Sequence, residues 1–354
     1  MEKVALVEFG GSHDECLMAQ FIALKEKGCH VTFVSTQEMF NRNVFLHCYI
    51  DEFKKIQFSG KAFKDFSVIR KLNSYFKTNG LTKVILNTAQ GAHVRNLCLT
   101  SPKKIEFIGI VHTLKKFQGS FTQKLINLKI RKYLVLNDFF LTKITIQKNI
   151  HVTSFYPLCF PIFENEIEKN SEEKWVTIIG GVENRRKDLI GSIPLMRELV
   201  QKGFKFIFLG KSDFKHPDVI YFNQFLKDAA IEKEVKLFDS FVSAEEFDAY
   251  LKATDLIWPM VHSNTPSATE YFKNQISGAM NVSFAYKIPM LIHQDYINQW
   301  EDFLHAISYN MENFAQKVLE GYEQKEDIQR ALRETEKFDP LYQEKKYLDF
   351  IFDN

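Results

Sequence analysis

The stretch that decides the fold is Val235–Val261, VKLFDSFVSAEEFDAYLKATDLIWPMV, together with Ile276–Ile292, ISGAMNVSFAYKIPMLI. A short apolar strand leads into a turn, and the Ser243-x-x-Glu246 spacing is typical of a capping box that opens a helix. A buried strand is predicted over 255–258, and the small residues 277–279 predict the start of another helix. Strands that alternate with helices in this way indicate a parallel sheet.

The same alternation continues toward both ends of the chain. Short β-branched runs predict strands, and the longer segments between them predict helices, so each half forms a parallel sheet covered on both faces. The predicted strands are Val4–Phe9, His30–Ser35, Val84–Asn87, Phe107–His112, Leu134–Asn137, Trp175–Ile179 and Phe204–Leu209. The predicted helices include Asp14–Lys27, Gln118–Lys132, Leu189–Lys202 and Pro217–Ile231.

The proline-containing segment Phe155–Pro161 separates the two halves. We therefore expect two domains, 1–160 and 161–339, each a doubly wound α/β unit. Aromatic residues among charges in 340–354 predict an amphipathic C-terminal helix.

Composition restricts the class of protein. The 354 residues are 45% apolar and 25% charged, as expected for a soluble protein of two domains. The N-terminal sequence lacks the features of a signal peptide, and we expect a cytoplasmic location. The five cysteines form no CxxC pair and favour reduced thiols over disulfides or zinc.

The charge is divided unequally between the two halves. Residues 1–160 contain 23 Lys and Arg against 11 Asp and Glu, a balance of +12, whereas residues 161–354 have a balance of −10. One interpretation is solvated lysine in a lysine-rich protein. The other is peripheral docking of the first domain on an anionic membrane through Lys103-Lys104, Lys115-Lys116 and Arg131-Lys132, with Phe117 or Phe121 at the interface. Nucleic acid is not expected as a partner, because no recognition motif is present.

Two features of the first half suggest ligand contacts. Gly10-Gly11-Ser12-His13-Asp14-Glu15 follows the first strand, and Ser12 with Glu15 predicts a capping box at a helix start whose amides can face an anion. His13 either contacts a ligand or is an exposed histidine without a role. His112 ends a strand, where ligands bind in parallel sheets, although it could instead cap the strand through a backbone hydrogen bond.

The second half contains a basic glycine turn, Gly180-Gly181-Val-Glu-Asn-Arg185-Arg186-Lys187. Arginine and lysine fixed in such a turn can bind an anionic group. The alternative is a solvated basic turn.

This order of strands, glycine turns and helices resembles the GT-B glycosyltransferases, most closely the retaining family-4-like group. The resemblance implies two Rossmann-like domains facing a cleft, with the C-terminal helix crossing back onto the first domain. It implies sugar transfer from a nucleotide-diphosphate sugar to a glycan or lipid-linked acceptor in cell-surface glycan or glycolipid assembly. It also implies retention of configuration, no bound metal and no cofactor.

The resemblance also implies roles for individual residues. It places His112 beside the transferred sugar, and Gly10 and His13 on the acceptor side. The implied donor-binding residues are Gly11, Gly181, Arg185, Arg186, Lys187, Ser277, Gly278 and Ala279.

The chain departs from the family at two carboxylates. Alignment back from Pro289 puts Asn274 and Val282 where the family has glutamates. Glu270 could replace the first, or Asn274 could bind sugar hydroxyls itself, so both are candidate catalytic residues.

Two other functions stay open. A nucleotide-sugar 2-epimerase of the same fold would need acid and base groups, for which His13, Glu183 and His262 are the candidates. A GT-B module that binds a sugar nucleotide or a partner without turnover would explain the missing glutamates.

Overall fold

The chain divides into two compact units in the computed structural model, which describes residues 1–145, 148–297 and 301–353. The first unit comprises Met1–Phe160 with Asp339–Asn354, and the second comprises Pro161–Phe338. Within the described ranges, no helix combines the length and apolar character needed to cross a bilayer.

A seven-stranded parallel sheet forms the centre of the first unit. Its strands are β1 (Lys3–Val7), β2 (His30–Ser35), β3 (Glu52–Lys55), β4 (Lys83–Leu86), β5 (Glu106–Val111), β6 (Lys132–Val135) and β7 (His151–Ser154). The spatial order is β3-β2-β1-β4-β5-β6-β7, so the winding direction reverses between β1 and β4. Open α/β sheets bind ligands at the carboxyl ends of the strands beside this reversal.

Helices and short 3₁₀ turns connect these strands. The α-helices are α1 (Leu17–Glu26), α2 (Gln37–Arg42), α3 (Ala62–Thr78), α4 (Ala92–Thr100), α5 (Leu114–Gly119), α6 (Phe121–Ile126) and α7 (Asp138–Lys143). The 3₁₀ helices are Asp14–Cys16 and Val44–Tyr49.

Six parallel strands lie within the described residues of the second unit. They are β8 (Lys174–Ile179), β9 (Phe204–Lys211), β10 (Val235–Phe238), β11 (Leu256–Ile257), β12 (Leu291–His293) and β13 (Ile307–Tyr309). Four pair in the order β10-β9-β8-β11, and β12 pairs with β13. A parallel bridge between Ile257 and Met290 joins the two groups, so the winding reverses between β8 and β11.

The helices of the second unit follow the predicted alternation. They are α8 (Ser192–Val200), α9 (Pro217–Asp228), α10 (Ala244–Ala253), α11 (Ala268–Lys273), α12 (Gly278–Tyr286), α13 (Gln294–Ile297), α14 (Phe314–Glu323) and α15 (Lys325–Glu334). The 3₁₀ helices are Glu301–Phe303 and Glu336–Phe338. The Ser243 side chain accepts the Glu246 N–H at 3.1 Å, as the capping spacing predicts.

The last helix, α16 (Pro340–Phe352), packs on α1 in the first unit. Tyr347 on its inner face is fully buried and lies 4.8 Å from Phe155, measured between ring centroids. The prediction that the C-terminal helix returns to the first domain is confirmed.

Two local predictions were wrong. A single helix over 118–132 was expected, but Ser120 caps α6 by accepting the Gln123 N–H, and β6 already begins at Lys132. The capping box at Ser12 is absent because His13, not Ser12, precedes the first 3₁₀ turn, and the Glu15 carboxylate bonds to the His13 ring.

Candidate functional site

Three polar side chains follow neighbouring strands at the carboxyl edge of the first sheet. Glu8 follows β1, Asn87 follows β4 and His112 follows β5. All three are buried, and they surround the point where the winding reverses. Only His112 was selected from the sequence, although the rule that found it applies equally to Glu8 and Asn87.

Glu8 fixes the Gly10-Gly11 turn. Its carboxylate accepts hydrogen bonds from the Gly10 N–H at 2.6 Å, the Thr88 hydroxyl at 2.7 Å and the Asn87 amide at 2.8 Å. Burial raises the pKa of Glu8 above its ordinary value, and these three hydrogen bonds oppose the rise. The carboxylate therefore holds the glycine loop in place, and few of its lone pairs remain to accept a hydrogen bond from a ligand.

Asn87 is the hub of this network. Its amide nitrogen donates to Glu8 and, at 2.9 Å, to the backbone oxygen of His13. Its amide oxygen accepts from the Gln20 side chain at 2.7 Å. The Tyr347 hydroxyl donates to the Gln20 side chain at 3.2 Å, so α16 is connected to the site.

His112 lies under the glycine loop. Its Nε2 is 2.6 Å from the Asn87 backbone oxygen, which can only accept, so Nε2–H is the donor. This is the strand-capping hydrogen bond that the sequence left open as an alternative. Burial, with the nearby charge of His13, lowers the pKa of His112 to about 4. The ring is therefore neutral at physiological pH.

His13 covers the ring of His112. The two rings stack with centroids 3.7 Å apart, and His13 has a left-handed backbone with φ 68°. Such a conformation is uncommon for residues other than glycine, although histidine adopts it more often than most. Burial opposes protonation, but the hydrogen bond at 3.3 Å and charge of Glu15 raise the pKa of His13 above its usual range. His13 is the part-exposed, titratable group of this loop.

The glycine turn after β8 occupies the equivalent position in the second unit. Gly180 has φ 87°, and a Cβ on Gly181 would lie 1.8 Å from the Lys211 backbone oxygen. The backbone of this turn therefore packs directly on the end of β9. Only glycine fits at the second position.

Lys187 lies beneath this turn. Its side chain is buried, and Nζ donates to the Gly181 backbone oxygen at 2.8 Å. Burial lowers the pKa of Lys187 to about 8, with Glu183 opposing and Arg186 adding to the effect. An anionic ligand would stabilise the charged form of this buried ammonium, which has one neutral hydrogen-bond acceptor.

The two arginines are less enclosed. Arg186 Nε lies 3.0 Å from a Glu183 carboxylate oxygen, and its side chain is about half exposed. Arg185 has 70% of its side chain exposed and lies 3.9 Å from the same carboxylate. Lys187 is thus the cation that the fold itself fixes at the turn.

A hydrogen-bonded pair of buried His262 and partly exposed Asp188 was not predicted. His262 Nδ1 accepts the Asn264 N–H at 3.3 Å, so Nε2 carries the proton that is donated to Asp188 at 2.8 Å. This hydrogen bond lowers the pKa of Asp188. His262 lies after β11, so the pair joins the two loops at the reversal of the second sheet.

The loop before α11 is held on the basic turn. The Ser267 N–H donates to the Arg185 backbone oxygen at 3.1 Å, and the Ser267 hydroxyl also donates to it. Glu270 on α11 accepts the Asn274 side-chain amide at 3.2 Å. The two candidate replacements for the missing carboxylate therefore touch each other.

The start of α12 retains the predicted geometry. Ser277 is its N-cap and accepts the Ala279 N–H at 3.4 Å, while Gly278 is exposed with open space where a Cβ would lie. Val282 is buried within this helix, which packs against β8. An apolar interior side chain at this position cannot bind a ribose.

The structure brings together Gly10, Gly11, His13 and His112 in the first unit, and Gly181, Arg185, Arg186 and Lys187 in the second. No group of three His, Cys, Asp or Glu side chains among the described residues is arranged to hold a metal ion.

Comparison with solved structures shows the fold. A glycosyltransferase from Rickettsia africae ESF-5 matches with a TM-score of 0.68 and 13% identity, covering 100% of this chain and 99% of the other. Anabaena HepE in complex with UDP-glucose matches with a TM-score of 0.70 and 10% identity, covering 99% of both. A Listeria monocytogenes protein assigned as a UDP-N-acetylglucosamine 2-epimerase matches with a TM-score of 0.68 and 12% identity. The match covers 99% of this chain and 95% of the other.

Neither a comparison with protein-family models nor one with curated proteins gives a match. The structural matches span the whole chain and share the two parallel-sheet units. The chain therefore has the GT-B fold, as the sequence predicted.

Proposed function

We propose that the protein is a glycosyltransferase that moves a sugar from a nucleoside diphosphate sugar to an acceptor. The donor binds the second unit and the acceptor binds the first. The observation that supports this most strongly is buried Lys187 under the Gly180-Gly181 turn, at the reversal of the second sheet. A glycine turn lets the backbone approach a diphosphate, and the ammonium beneath it supplies the charge.

The reaction explains why a cation is required there. The bond between the anomeric carbon and the diphosphate oxygen breaks, the diphosphate takes the electron pair, and the acceptor oxygen bonds to the sugar and loses its proton. The ammonium of Lys187 stabilises the leaving diphosphate more than the intact donor, because its negative charge grows as the bond breaks. The proposal also assigns the exposed helix start at Ser277–Ala279 to this diphosphate, because a helix N-terminus favours negative charge.

The test is a panel of nucleotide sugars with glycan and lipid-linked acceptors. We expect acceptor-dependent release of one nucleoside diphosphate and a glycosylated product by mass spectrometry. Binding without release on the whole panel would favour the non-catalytic module instead.

The proposal includes transfer without a divalent cation and with retention of anomeric configuration. Lys187 supports transfer without a metal ion, because it supplies positive charge at the diphosphate. The resemblance to retaining enzymes supports retention of configuration. Activity that disappears in EDTA and returns with Mg²⁺ would contradict metal independence. Proton NMR of the freshly formed product distinguishes the two anomers.

A second candidate, the nucleotide-sugar 2-epimerase, is favoured by the part-buried His262–Asp188 hydrogen bond and by part-exposed His13. Glu183, the third candidate residue, pairs with Arg186. This hypothesis predicts a new sugar epimer from the nucleotide sugar alone, detected by NMR without any acceptor.

His112→Ala is expected to reduce turnover at least about tenfold, roughly 1.4 kcal/mol, while leaving nucleoside diphosphate affinity unchanged. The reason is that His112 belongs to the first unit and supports the His13 ring, whereas the nucleotide binds the second. The measurement compares kcat with calorimetric Kd. His151→Ala, an exposed change on β7, is the control. Equal losses in both quantities would assign His112 a role in folding instead.

Substitutions of Glu270 and Asn274 test which of the two replaces the missing carboxylate. If Glu270 acts in catalysis, Glu270→Gln should slow turnover at least about tenfold while Asn274→Ala has a smaller effect. If Asn274 recognises the sugar, the order reverses. Because the side chains are hydrogen-bonded, the double variant should lose less than the sum of the two single changes. Full activity in both single variants would exclude the pair.

The acceptor is proposed to be a glycan or lipid-linked molecule at the cytoplasmic face of the cell membrane. The positive balance of the first unit supports this partner.

A further inference from the structure

Positive charge in the first unit is concentrated in one continuous segment. Residues 61–132 contain 15 Lys and Arg but only 2 Asp and Glu, whereas the rest of the first 160 residues contain 8 and 9. Asp65 is buried and accepts the Ser59 N–H at 2.7 Å. Glu106 pairs with Lys83 at 2.5 Å and Lys132 at 3.4 Å. Both acids of the segment are therefore engaged by the protein itself.

The helices of this segment form one layer on the sheet. It contains α3, α4, α5 and α6, in which α4 packs beside both α3 and α6. Asn73 on α3 donates to the Leu97 backbone oxygen at 3.0 Å and to the Thr100 hydroxyl at 2.8 Å on α4. The layer is thus a continuous surface.

Two of the most exposed aromatic side chains lie on the same layer. Phe63 in the first turn of α3 is 88% exposed, and Phe121 in the first turn of α6 is 73% exposed. Exposed lysines lie beside them in sequence, and together they form what we call the basic-aromatic face: Lys61, Phe63, Lys64, Lys116, Phe121 and Lys124.

The Lys61, Phe63 and Lys64 part of this face lies at the carboxyl edge of the sheet. Helices α3, α4 and α5 follow β3, β4 and β5 directly, so they begin at the edge that holds the glycine loop and His112. A ring contact links the two places. Phe9, just after β1, meets Phe58 at 5.3 Å between centroids, and Phe58 stacks on His93 of α4 at 3.7 Å.

The structure corrects the surface expected from sequence. Lys103-Lys104 precede β5 and Arg131-Lys132 begin β6, so both pairs lie at the opposite, amino edge. Lys132 also donates to the Asp353 backbone oxygen at 2.6 Å. Phe117 is buried against Tyr133, with ring centroids 4.8 Å apart, so Phe121 alone of the two aromatics is exposed.

We propose that the basic-aromatic face docks on an anionic lipid bilayer and places the first-unit site at the membrane surface. Lysines attract anionic headgroups, and exposed phenylalanines enter the boundary between headgroups and acyl chains. Duplex RNA would offer phosphates but no apolar layer for two phenylalanines, so charge and apolar exposure together favour lipid. The link to a lipid-linked acceptor rests on the proposed function, whereas docking itself does not.

Docking is tested by co-sedimentation with vesicles of phosphatidylcholine and phosphatidylglycerol in equal parts. We expect binding at low salt that weakens steeply as salt approaches physiological levels, where the Debye length falls to about 8 Å. Vesicles of phosphatidylcholine alone should bind at least roughly tenfold less, since they lack the anionic headgroups.

Two double variants separate the contributions. Phe63→Ser with Phe121→Ser should reduce binding at every salt concentration, and Lys64→Glu with Lys124→Glu should abolish its salt dependence along with most binding. All four residues are exposed, so the fold is retained. The matched control, Phe241→Ser with Lys233→Glu in the second unit, should bind as the unchanged protein does.

Failure of the unchanged protein to bind anionic vesicles at low salt would overturn the proposal. An equal loss in the control would also overturn it, as would tighter binding to duplex RNA that the same variants abolish. Nucleoside diphosphate affinity, measured in parallel, separates this outcome from failure of the proposed function.

Discussion

Replacing Lys187 with methionine is expected to weaken nucleoside diphosphate binding by about 1.5–3 kcal/mol, the range for a lost charge-assisted hydrogen bond. This corresponds to roughly 10- to 150-fold in Kd. Methionine keeps most of the buried stem, so packing in the second unit changes little. Titration calorimetry gives the affinity, and thermal unfolding checks the fold. Lys227→Met, at an exposed position on α9, is the control.

The pH dependence provides an independent check on the same residue. In the free protein the pKa of Lys187 is about 8, and a bound diphosphate would raise it. Below pH 8 the amine is protonated in both states, so affinity is highest there. Above pH 8 binding must take up a proton, and affinity should fall by up to about tenfold per pH unit. The methionine variant should not show this fall. Persistence of the fall in that variant would assign it to another group.

Gly181→Ala is expected to destabilise the second unit by about 3 kcal/mol or more. This is the upper end of the range for overpacked sites. The added Cβ would lie 1.8 Å from the Lys211 backbone oxygen and 3.2 Å from the Ser212 nitrogen. Backbone atoms cannot rotate away, so the turn must separate from the end of β9. Lys187 would then lose its acceptor.

Gly278→Ala is the matched comparison, because it adds the same methyl group where nothing lies within 4 Å. Chemical denaturation should show no loss of stability in Gly278→Ala. If both alanine variants are as stable as the unchanged protein, close backbone approach at Gly181 is not needed for the fold.

Most buried strands were predicted because their apolar runs can be read directly from the local sequence. The strand His30–Ser35 was predicted with its observed bounds. By contrast, β3 (EFKK) has one apolar side chain in four residues and lies at the sheet edge, where pairing is a tertiary effect. It could not be recognised from periodicity.

The candidate site was partly predictable for a similar reason. Glycines and lysines next to a strand end are visible locally, and Lys187 was selected on that basis. The Asp188–His262 hydrogen bond joins residues separated by 74 positions, and the Tyr347–Gln20 bond joins residues separated by 327. No local pattern encodes such pairs.

The Tyr347–Gln20–Asn87 hydrogen bonds also set an order of events during synthesis. All seven strands of the first sheet leave the ribosome by Ser154, but Tyr347 follows roughly 190 residues later. At about 5–20 residues per second, the nascent first unit waits roughly 10–40 s for the helix that covers α1 and completes these bonds. Throughout that interval Gln20 lacks its hydrogen bond from Tyr347, and Phe155 lacks its contact with the Tyr347 ring. The half of the protein that is made first is therefore finished last.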